Sequence, residues 1–331
     1  MPDASARSHR GALQRLALLL HRLRRVAYLD VGAPDATTFV AGMGRSGTTW
    51  VSAIINHDFS YRVVFEPFRS ELVPAAAPFG AFAYVRPSDR DPTRLRAAEA
   101  ILSGRTPRGS VDRGHQGFLF RRRIVKGVRA NLMLAWLKSI RPHMPIVLVI
   151  RNPFAVAASW SRLGWGLVAD GVTAELDVIL RHPELHADFP EIRTALRGLD
   201  PADRVQRTIA EWCILHHVPL RQLNAGDVHL LYYEDLLLEP VSTVDSLAAY
   251  LGRPISGAGR DRALMTATAT DFLRRGNAAD RNQLLGDWKN VLTLSDVDRG
   301  RLILDRFGLA HLYDDDGVPT AAARTPWPIR A

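Results

Sequence analysis

A glycine-rich stretch between a predicted strand and a predicted helix is the first place where this sequence could bind an anion. It runs over residues 42–50 and reads Gly42-Met43-Gly44-Arg45-Ser46-Gly47-Thr48-Thr49-Trp50. The β-branched run 37–41 predicts a buried strand before it, and the apolar run 50–55 predicts a helix after it. Glycines let the backbone wrap a phosphate, and the first N–H groups of a helix are unpaired and carry partial positive charge. We therefore predict a phosphate loop at residues 42–50.

The phosphate loop differs from a Walker A loop at one decisive position. Gly42 and Gly47 occupy the two glycine positions, but Thr48 stands where the lysine should follow. The basic residue is Arg45, inside the loop. A kinase or ATPase uses that lysine on the β- and γ-phosphates, so its absence argues against γ-phosphoryl transfer. A serine- and threonine-rich turn with no ligand is the alternative interpretation.

A second basic residue follows the apolar run 145–150, which predicts a strand buried on both faces of a parallel sheet. Arg151 stands at the exit of this strand, and Ser159 lies eight residues on, inside the next predicted helix. A guanidinium group binds phosphate oxygens with two parallel hydrogen bonds. The alternative is an arginine that only caps the end of the strand.

A carboxylate lies at the end of a third predicted strand, 61–65. Glu66 follows this strand directly and precedes Pro67. Open α/β sheets place their chemistry at the carboxyl ends of the strands, so Glu66 is a candidate catalytic group. The alternative is a surface glutamate before a proline that starts a loop.

Taken in order, these motifs resemble the sulfotransferases that use 3′-phosphoadenosine 5′-phosphosulfate, over roughly residues 37–313. Arg-Ser-Gly-Thr-Thr-Trp at 45–50 is similar to their 5′-phosphosulfate loop, and Arg151 with Ser159 to their 3′-phosphate site. Phe-Glu-Pro at 65–67 is similar to the carbohydrate and bacterial branch. Tyr-Glu-Asp-Leu at 233–236 and Gly-Asp-Trp-Lys-Asn at 286–290 complete the pattern. Of the Arg-Lys-Gly triplet that precedes the last motif in the family, this chain keeps only Arg281.

The resemblance implies a set of residues that bind the donor nucleotide. The phosphate loop would hold the 5′-phosphate through its amides and through Ser46, Gly47, Thr48 and Thr49, beside Arg45. The 3′-phosphate would be bound by Arg151, Ser159 and Arg281. The adenine would lie against Trp50, Tyr233 and Phe272.

It also implies in-line transfer of the sulfuryl group to an acceptor hydroxyl of a sugar, a lipid or a natural product. Glu66 would take the acceptor proton as general base. Arg45 and Lys126 would stabilise the charge that develops on the phosphate and sulfuryl oxygens. The cytosolic branch places a histidine two residues after this lysine, where Val128 stands here. This departure assigns the base to Glu66, with His115 as the alternative. No metal is needed, because the arginines, the lysine and the helix dipole supply positive charge.

The composition of the 331 residues is ordinary for a soluble globular protein, with 47% hydrophobic and 23% charged residues. We predict a P-loop-like three-layer α/β/α sandwich with a central parallel sheet at 34–313, an amphipathic basic helix at the N-terminus over 1–33 and a loosely held tail at 314–331. The single cysteine, Cys213, excludes an internal disulfide and suits the cytoplasm.

The net charge of +9 favours anionic partners. Residues 10–29 show an amphipathic helical pattern, which could pack on the domain or make a peripheral contact with an anionic membrane. Two other functions are open at this stage: a divergent P-loop kinase, and a non-catalytic basic module that binds membranes or nucleic acid. None of the usual nucleic-acid-binding motifs is present, so we expect no nucleic-acid partner.

Overall fold

The structure is a computed structural model, and it describes residues 27–112, 117–165, 175–259, 261, 284–325 and 327. The strands are β1 (Leu29–Asp30), β2 (Thr37–Gly42), β3 (Tyr61–Phe65), β4 (Leu119–Phe120), β5 (Arg122–Gly127), β6 (Ile146–Ile150) and β7 (His229–Tyr232). The helices are α1 (Thr48–Ile55), α2 (Pro92–Leu102), α3 (Leu134–Ile140), α4 (Pro153–Leu163), α5 (Glu175–Ile179), α6 (Pro183–Asp188), α7 (Glu191–Ala195), α8 (Arg204–Gln222), α9 (Tyr233–Leu238), α10 (Pro240–Tyr250) and α11 (Leu294–Arg306).

Five strands form a wholly parallel sheet in the order β3-β5-β2-β6-β7. Every residue of β2 and β6 is buried, as the continuous apolar runs predicted for strands covered on both faces. The predicted fold class is therefore confirmed.

The core has two layers, one on each face of the sheet, because side chains alternate between the two faces along each strand. Phe39 and Ala41 of β2 point into the larger layer, to which α4, α8 and α11 contribute. Val40, between them, points into the smaller layer, which contains apolar residues of α1, α9 and α10. Because successive side chains of a strand point to opposite faces, one short apolar run can anchor helices on both sides.

A small second sheet corrects one prediction. The amphipathic helical pattern runs to residue 29, but Leu29 begins β1, which pairs in parallel with β4. β4 is followed after one residue, Arg121, by β5 of the main sheet. The cause is long-range pairing: the Leu29 N–H donates to the Phe118 carbonyl at 2.7 Å, a contact that no local pattern encodes.

Buried ion pairs tie this small sheet to the amino ends of β3 and β5. The Asp30 carboxylate accepts hydrogen bonds from Arg123 Nε at 2.7 Å and from Arg62 Nη1 at 3.1 Å. Arg62 Nε also donates to Asp112 at 2.7 Å. Both guanidinium groups are almost fully buried, so their positive charges depend on these carboxylates.

The C-terminal segment is packed rather than loosely held over its described part, so that prediction was wrong. Tyr232 donates to the Ala323 carbonyl at 3.0 Å, and Trp327 Nε1 donates to the Leu220 carbonyl at 2.9 Å. The Pro- and Ala-rich sequence lacks periodicity, but the small Ala323 side chain is buried against the domain. Within the described residues, no helix has the length and hydrophobicity to cross a membrane.

Replacing Asp30 should strongly destabilise the fold. Asp30→Ala leaves two buried guanidinium groups short of a counter-ion, so we expect a loss of about 3 to 5 kcal/mol in the free energy of unfolding, measured by urea denaturation. Asp35→Ala, in the exposed turn before β2, is the matched control and should change stability by less than about 0.5 kcal/mol. Equal stability of the two variants would contradict a structural role for this ion pairing.

Candidate functional site

The phosphate loop leaves the carboxyl end of β2 and enters α1 in a conformation that depends on glycine. Gly47 has a φ of 91°, and a Cβ atom at this position would lie 2.5 Å from Cδ2 of Tyr233. Among the described residues, no side chain caps the first turn of α1. The Ser46 hydroxyl is fully buried and also lacks a hydrogen-bond partner in this part of the chain. The loop therefore offers unused donors, as an anion-binding loop requires.

The structure brings the loop and the second basic motif into one cleft. Arg45 Nε donates to the Ser159 hydroxyl at 3.0 Å, although the two residues are 114 positions apart. Arg151 Nη1 donates to the Arg45 carbonyl at 2.9 Å. Ser159 lies on α4, which begins just after the β6 strand that delivers Arg151. The residues predicted separately from two motifs thus form one contiguous cluster.

Among the described residues, no carboxylate lies within ion-pair distance of the two arginines of this cluster. Over the ranges that the structure describes, neither Arg45 nor Arg151 forms an ion pair, and Arg151 Nε is buried without a hydrogen-bond partner. Burial, and secondarily the charge of Arg151, lowers the pKa of Arg45 from its ordinary value. Two guanidinium groups held close together, with no ion pair to a described carboxylate, give the cleft positive charge, which favours an anionic ligand.

An aromatic pair lies beside the phosphate loop. The Arg151 guanidinium lies over the Tyr233 ring at 4.3 Å from its centroid. The Trp50 ring meets Tyr233 edge-on, with the centroids 5.5 Å apart. Tyr233 begins α9 directly after β7, so its ring is placed at the same edge of the sheet as the loop. These two residues could flank a planar ring of a ligand whose anionic groups bind the arginines.

Glu66 and Lys126 are paired at the carboxyl ends of neighbouring strands. Glu66 follows Phe65, the partner of Lys126 in the β3–β5 register. Lys126 Nζ donates to Glu66 Oε1 at 3.1 Å, and the Val128 N–H donates to Oε2 at 3.0 Å. Glu66 is only 4% exposed and has a φ of 50°, in the left-handed region that non-glycine residues rarely adopt. A strained, buried and oriented carboxylate at a strand end is typical of a functional residue.

Some predicted site residues lie outside the described residues. These are Phe272, Arg281 and the alternative base His115. The following Gly-Asp-Trp-Lys-Asn motif is described, and its Trp288 ring stacks on Phe154 of α4 at a centroid distance of 5.2 Å. Arg162, also on α4, donates to Asp287 at 2.5 Å. The C-terminal motif thus packs on the helix that carries Ser159.

Two polar residues that position the site were missed at the sequence level. Asn131 Oδ1 accepts from the Gly42 N–H at 3.2 Å, and its Nδ2 donates to the Leu215 carbonyl at 3.0 Å, so it anchors the start of the phosphate loop to α8. Glu234 accepts from the Asn152 N–H at 2.9 Å and from the Tyr313 hydroxyl at 3.1 Å. Glu234 lies in the Tyr-Glu-Asp-Leu motif, next to Tyr233, which was predicted to contact the adenine. Its position just after the end of β7 was the signal that could have identified it.

Metal-binding groups are not a feature of the part of the chain that the structure describes. No cluster of three or more His, Cys, Asp or Glu side chains there could hold an ion. Cys213 is buried in α8, and His216, one turn on, donates a hydrogen bond from Nδ1 to the Trp212 carbonyl at 2.7 Å.

Fold and site together define a parallel α/β protein with an anion-binding loop that faces a second basic motif. The family model described as "Sulfotransferase domain" matches residues 35–302, which is most of the chain. The protein belongs to this family.

Individual relatives are more distant. The chain is 25% identical over 291 residues to the nodulation protein NoeE of Sinorhizobium fredii (strain NBRC 101917 / NGR234), which covers 81% of this chain. It spans only 63% of the length of that relative. Among solved structures, mouse sulfotransferase SULT7A1 complexed with PAP is 15% identical over 87% of each chain, with a TM-score of 0.44. Sulfotransferase STF9 from Mycobacterium avium is 11% identical over 79% of this chain and 78% of its own, with a TM-score of 0.42.

Glu234 should make stability depend on pH. Burial raises the pKa of this carboxyl from 4.5 to about 7. Between these two pKa values the folded state holds a proton that the unfolded state releases, so stability falls as pH rises from about 4.5 to 7. Glu234→Gln retains an acceptor for Asn152 but has no such proton. We expect the free energy of unfolding of the wild type, relative to Glu234→Gln, to fall by on the order of 3 kcal/mol over this interval.

Urea denaturation at a series of pH values measures this difference. Glu239→Gln, at an exposed glutamate just after α9, is the control and should follow the wild type. Parallel pH profiles for the wild type and Glu234→Gln would show that Glu234 is ionised alike in the folded and unfolded states.

Proposed function

We propose that this sulfotransferase transfers the sulfuryl group of 3′-phosphoadenosine 5′-phosphosulfate to a hydroxyl group of a sugar, lipid or natural product. The observation that carries the proposal is the hydrogen bond between Arg45 and Ser159, with Arg151 bound to the Arg45 carbonyl. It joins two anion-binding groups in one cleft, and the proposed donor is a nucleotide with two anionic ends.

The cleft fits this donor in three respects. The phosphate loop has a fully buried, unpartnered Ser46 hydroxyl and an uncapped helix start among the described residues, which suits the 5′-phosphate and sulfate, together with Thr48 and Thr49. Arg151 and Ser159 suit the 3′-phosphate, because Ser159 accepts from Arg45 and still has its own proton to donate. Trp50 and Tyr233 suit the adenine. We assign further donor contacts to Phe272 and Arg281 by family resemblance alone.

We assign the general base to Glu66. Its two carboxylate oxygens are oriented by Lys126 and the Val128 N–H, and each oxygen keeps a second lone pair that can accept a proton. The acceptor hydroxyl would lose its proton to Glu66 as its oxygen bonds to sulfur and the bond from sulfur to the 5′-phosphate oxygen breaks in line. Protonation of Glu66 would end its ion pair with Lys126. The released ammonium group and Arg45 would then stabilise charge on the sulfuryl and phosphate oxygens.

The same chemistry needs no metal, because guanidinium, ammonium and helix N–H groups supply positive charge. We place the enzyme in the cytoplasm, where a reducing environment matches its single buried thiol, Cys213.

Nucleotide specificity tests the donor assignment. Adenosine 3′,5′-bisphosphate should raise the melting temperature much more than AMP or ATP, because only it supplies a 3′-phosphate. At a free ligand concentration one hundred times Kd the stabilisation is about 2.7 kcal/mol. Ser159→Ala should remove most of the advantage over AMP, whereas Ser161→Ala on the same helix should leave it intact. Equal protection by all three nucleotides would remove the case for a 3′-phosphate site.

A carboxamide at position 66 tests the base assignment. Glu66→Gln should bind adenosine 3′,5′-bisphosphate like the wild type but lose about 10²- to 10⁴-fold in turnover, because the amide cannot take the proton. Single-turnover sulfuryl transfer from labelled donor measures this loss. Glu71→Gln, at an exposed glutamate five residues on, should keep full activity. If Glu66→Gln stays active while His115→Ala does not, the base is His115.

A further inference from the structure

The small β1–β4 sheet presents an apolar face that no role described above explains. Leu29, Val31 and Leu119 are 63%, 57% and 53% exposed. Leu29 and Leu119 are register partners, and Val31 stands two residues after Leu29, so the three side chains share one face. The opposite face is occupied: Phe120 is buried there, and Asp30 binds Arg62 and Arg123. Single exposed apolar residues are ordinary, but three side by side on one sheet indicate an interaction surface.

Basic residues accompany this face. Arg121 and Arg122 follow β4 directly, at the bend that leads into β5, and both are exposed. The chain that leads into β1, residues 1–26, carries six arginines and one acidic residue, Asp3. It ends three residues before Leu29, so its charge is covalently tied to the apolar face.

We propose that the exposed surface made of Leu29, Val31 and Leu119 with the adjoining Arg121 and Arg122, called here the basal face, docks on an anionic phospholipid surface. Exposed leucines enter the boundary between headgroups and acyl chains, while arginines attract anionic headgroups. The combination of apolar and cationic side chains on one face is what such a surface selects. A second copy of the chain is a poorer occupant, because two basal faces with their preceding basic segments would repel each other.

The position of the basal face suits this role. Arg122 begins β5, and Lys126 lies near its end. The basal face is therefore at the amino end of the sheet, while the phosphate loop and Glu66 are at the carboxyl end. Five residues of strand separate Arg121 from Lys126, or about 16 Å at 3.3 Å per residue. A membrane bound at the basal face leaves the anionic-ligand cleft open on the far side.

Vesicle sedimentation tests the proposal with the full chain. We expect binding to phosphatidylcholine vesicles that contain about one-fifth phosphatidylserine, little binding to pure phosphatidylcholine, and weaker binding at higher salt. The double variant Leu29→Ser/Leu119→Ser should bind about tenfold more weakly. Leu294→Ser/Leu302→Ser, at exposed leucines of α11, is the matched control and should bind like the wild type. The melting temperature with adenosine 3′,5′-bisphosphate verifies that each variant is folded.

A second double variant, Arg121→Gln/Arg122→Gln, removes positive charge from the basal face but keeps its apolar side chains. It should also weaken vesicle binding about tenfold. The proposal is wrong if the wild type binds both kinds of vesicle equally, or if all basal-face variants bind like the wild type, which would assign the binding to residues 1–26 alone. It is also wrong if the wild type does not bind the anionic vesicles. If the leucine variant then changes the sedimentation coefficient, the face instead joins two copies of the chain.

Discussion

The parallel pairing of β2 with β6 is the constraint on which the rest of the site depends. Gly42 is the register partner of Val149, so the segments that follow these two strands leave the sheet at the same level and side by side. Arg45 therefore meets Arg151 and Ser159 without any long loop to bring them together. On the other flank of β2, the strands β5 and β3 bring Lys126 and Glu66 to the same edge by the same register. Strand order alone thus gathers residues from four separate parts of the sequence.

Arginines with a structural role and arginines of the candidate site differ in whether a carboxylate pairs with them. Arg62 and Arg123 are buried and fully paired with Asp30 and Asp112, because an isolated buried cation would destabilise the fold. Arg45 and Arg151 have no such carboxylate within the described ranges; their contacts are to a hydroxyl and a backbone carbonyl. The fold thus pairs these two cations at the amino end of its sheet with carboxylates and leaves Arg45 and Arg151, at the carboxyl end, without an ion pair among the described residues. This contrast, rather than the net charge of +9, is the basis on which we propose where the anionic ligand binds.

Much of this arrangement follows from local sequence. The strands expected at 37–41, 61–65 and 145–150 are present within one residue, because short apolar and β-branched runs describe buried parallel strands well. The loop, Arg151 and Glu66 could be named as candidates because glycine spacing and strand ends are local signals. Features that depend on distant partners were missed. β1 exists through its pairing with β4, Asn131 matters through its bond to Gly42, and Glu234 through Tyr313. None of these partners lies within a window over which periodicity can be read.

The most direct measurement is a crystal structure with adenosine 3′,5′-bisphosphate bound. Our account predicts a single nucleotide spanning the cleft, with its 5′-phosphate on the amides of the phosphate loop and its 3′-phosphate within hydrogen-bond distance of Arg151 and Ser159. A nucleotide bound elsewhere, or one whose 3′-phosphate faces solvent while the loop holds the other end, would contradict the shared cleft and with it the proposed donor.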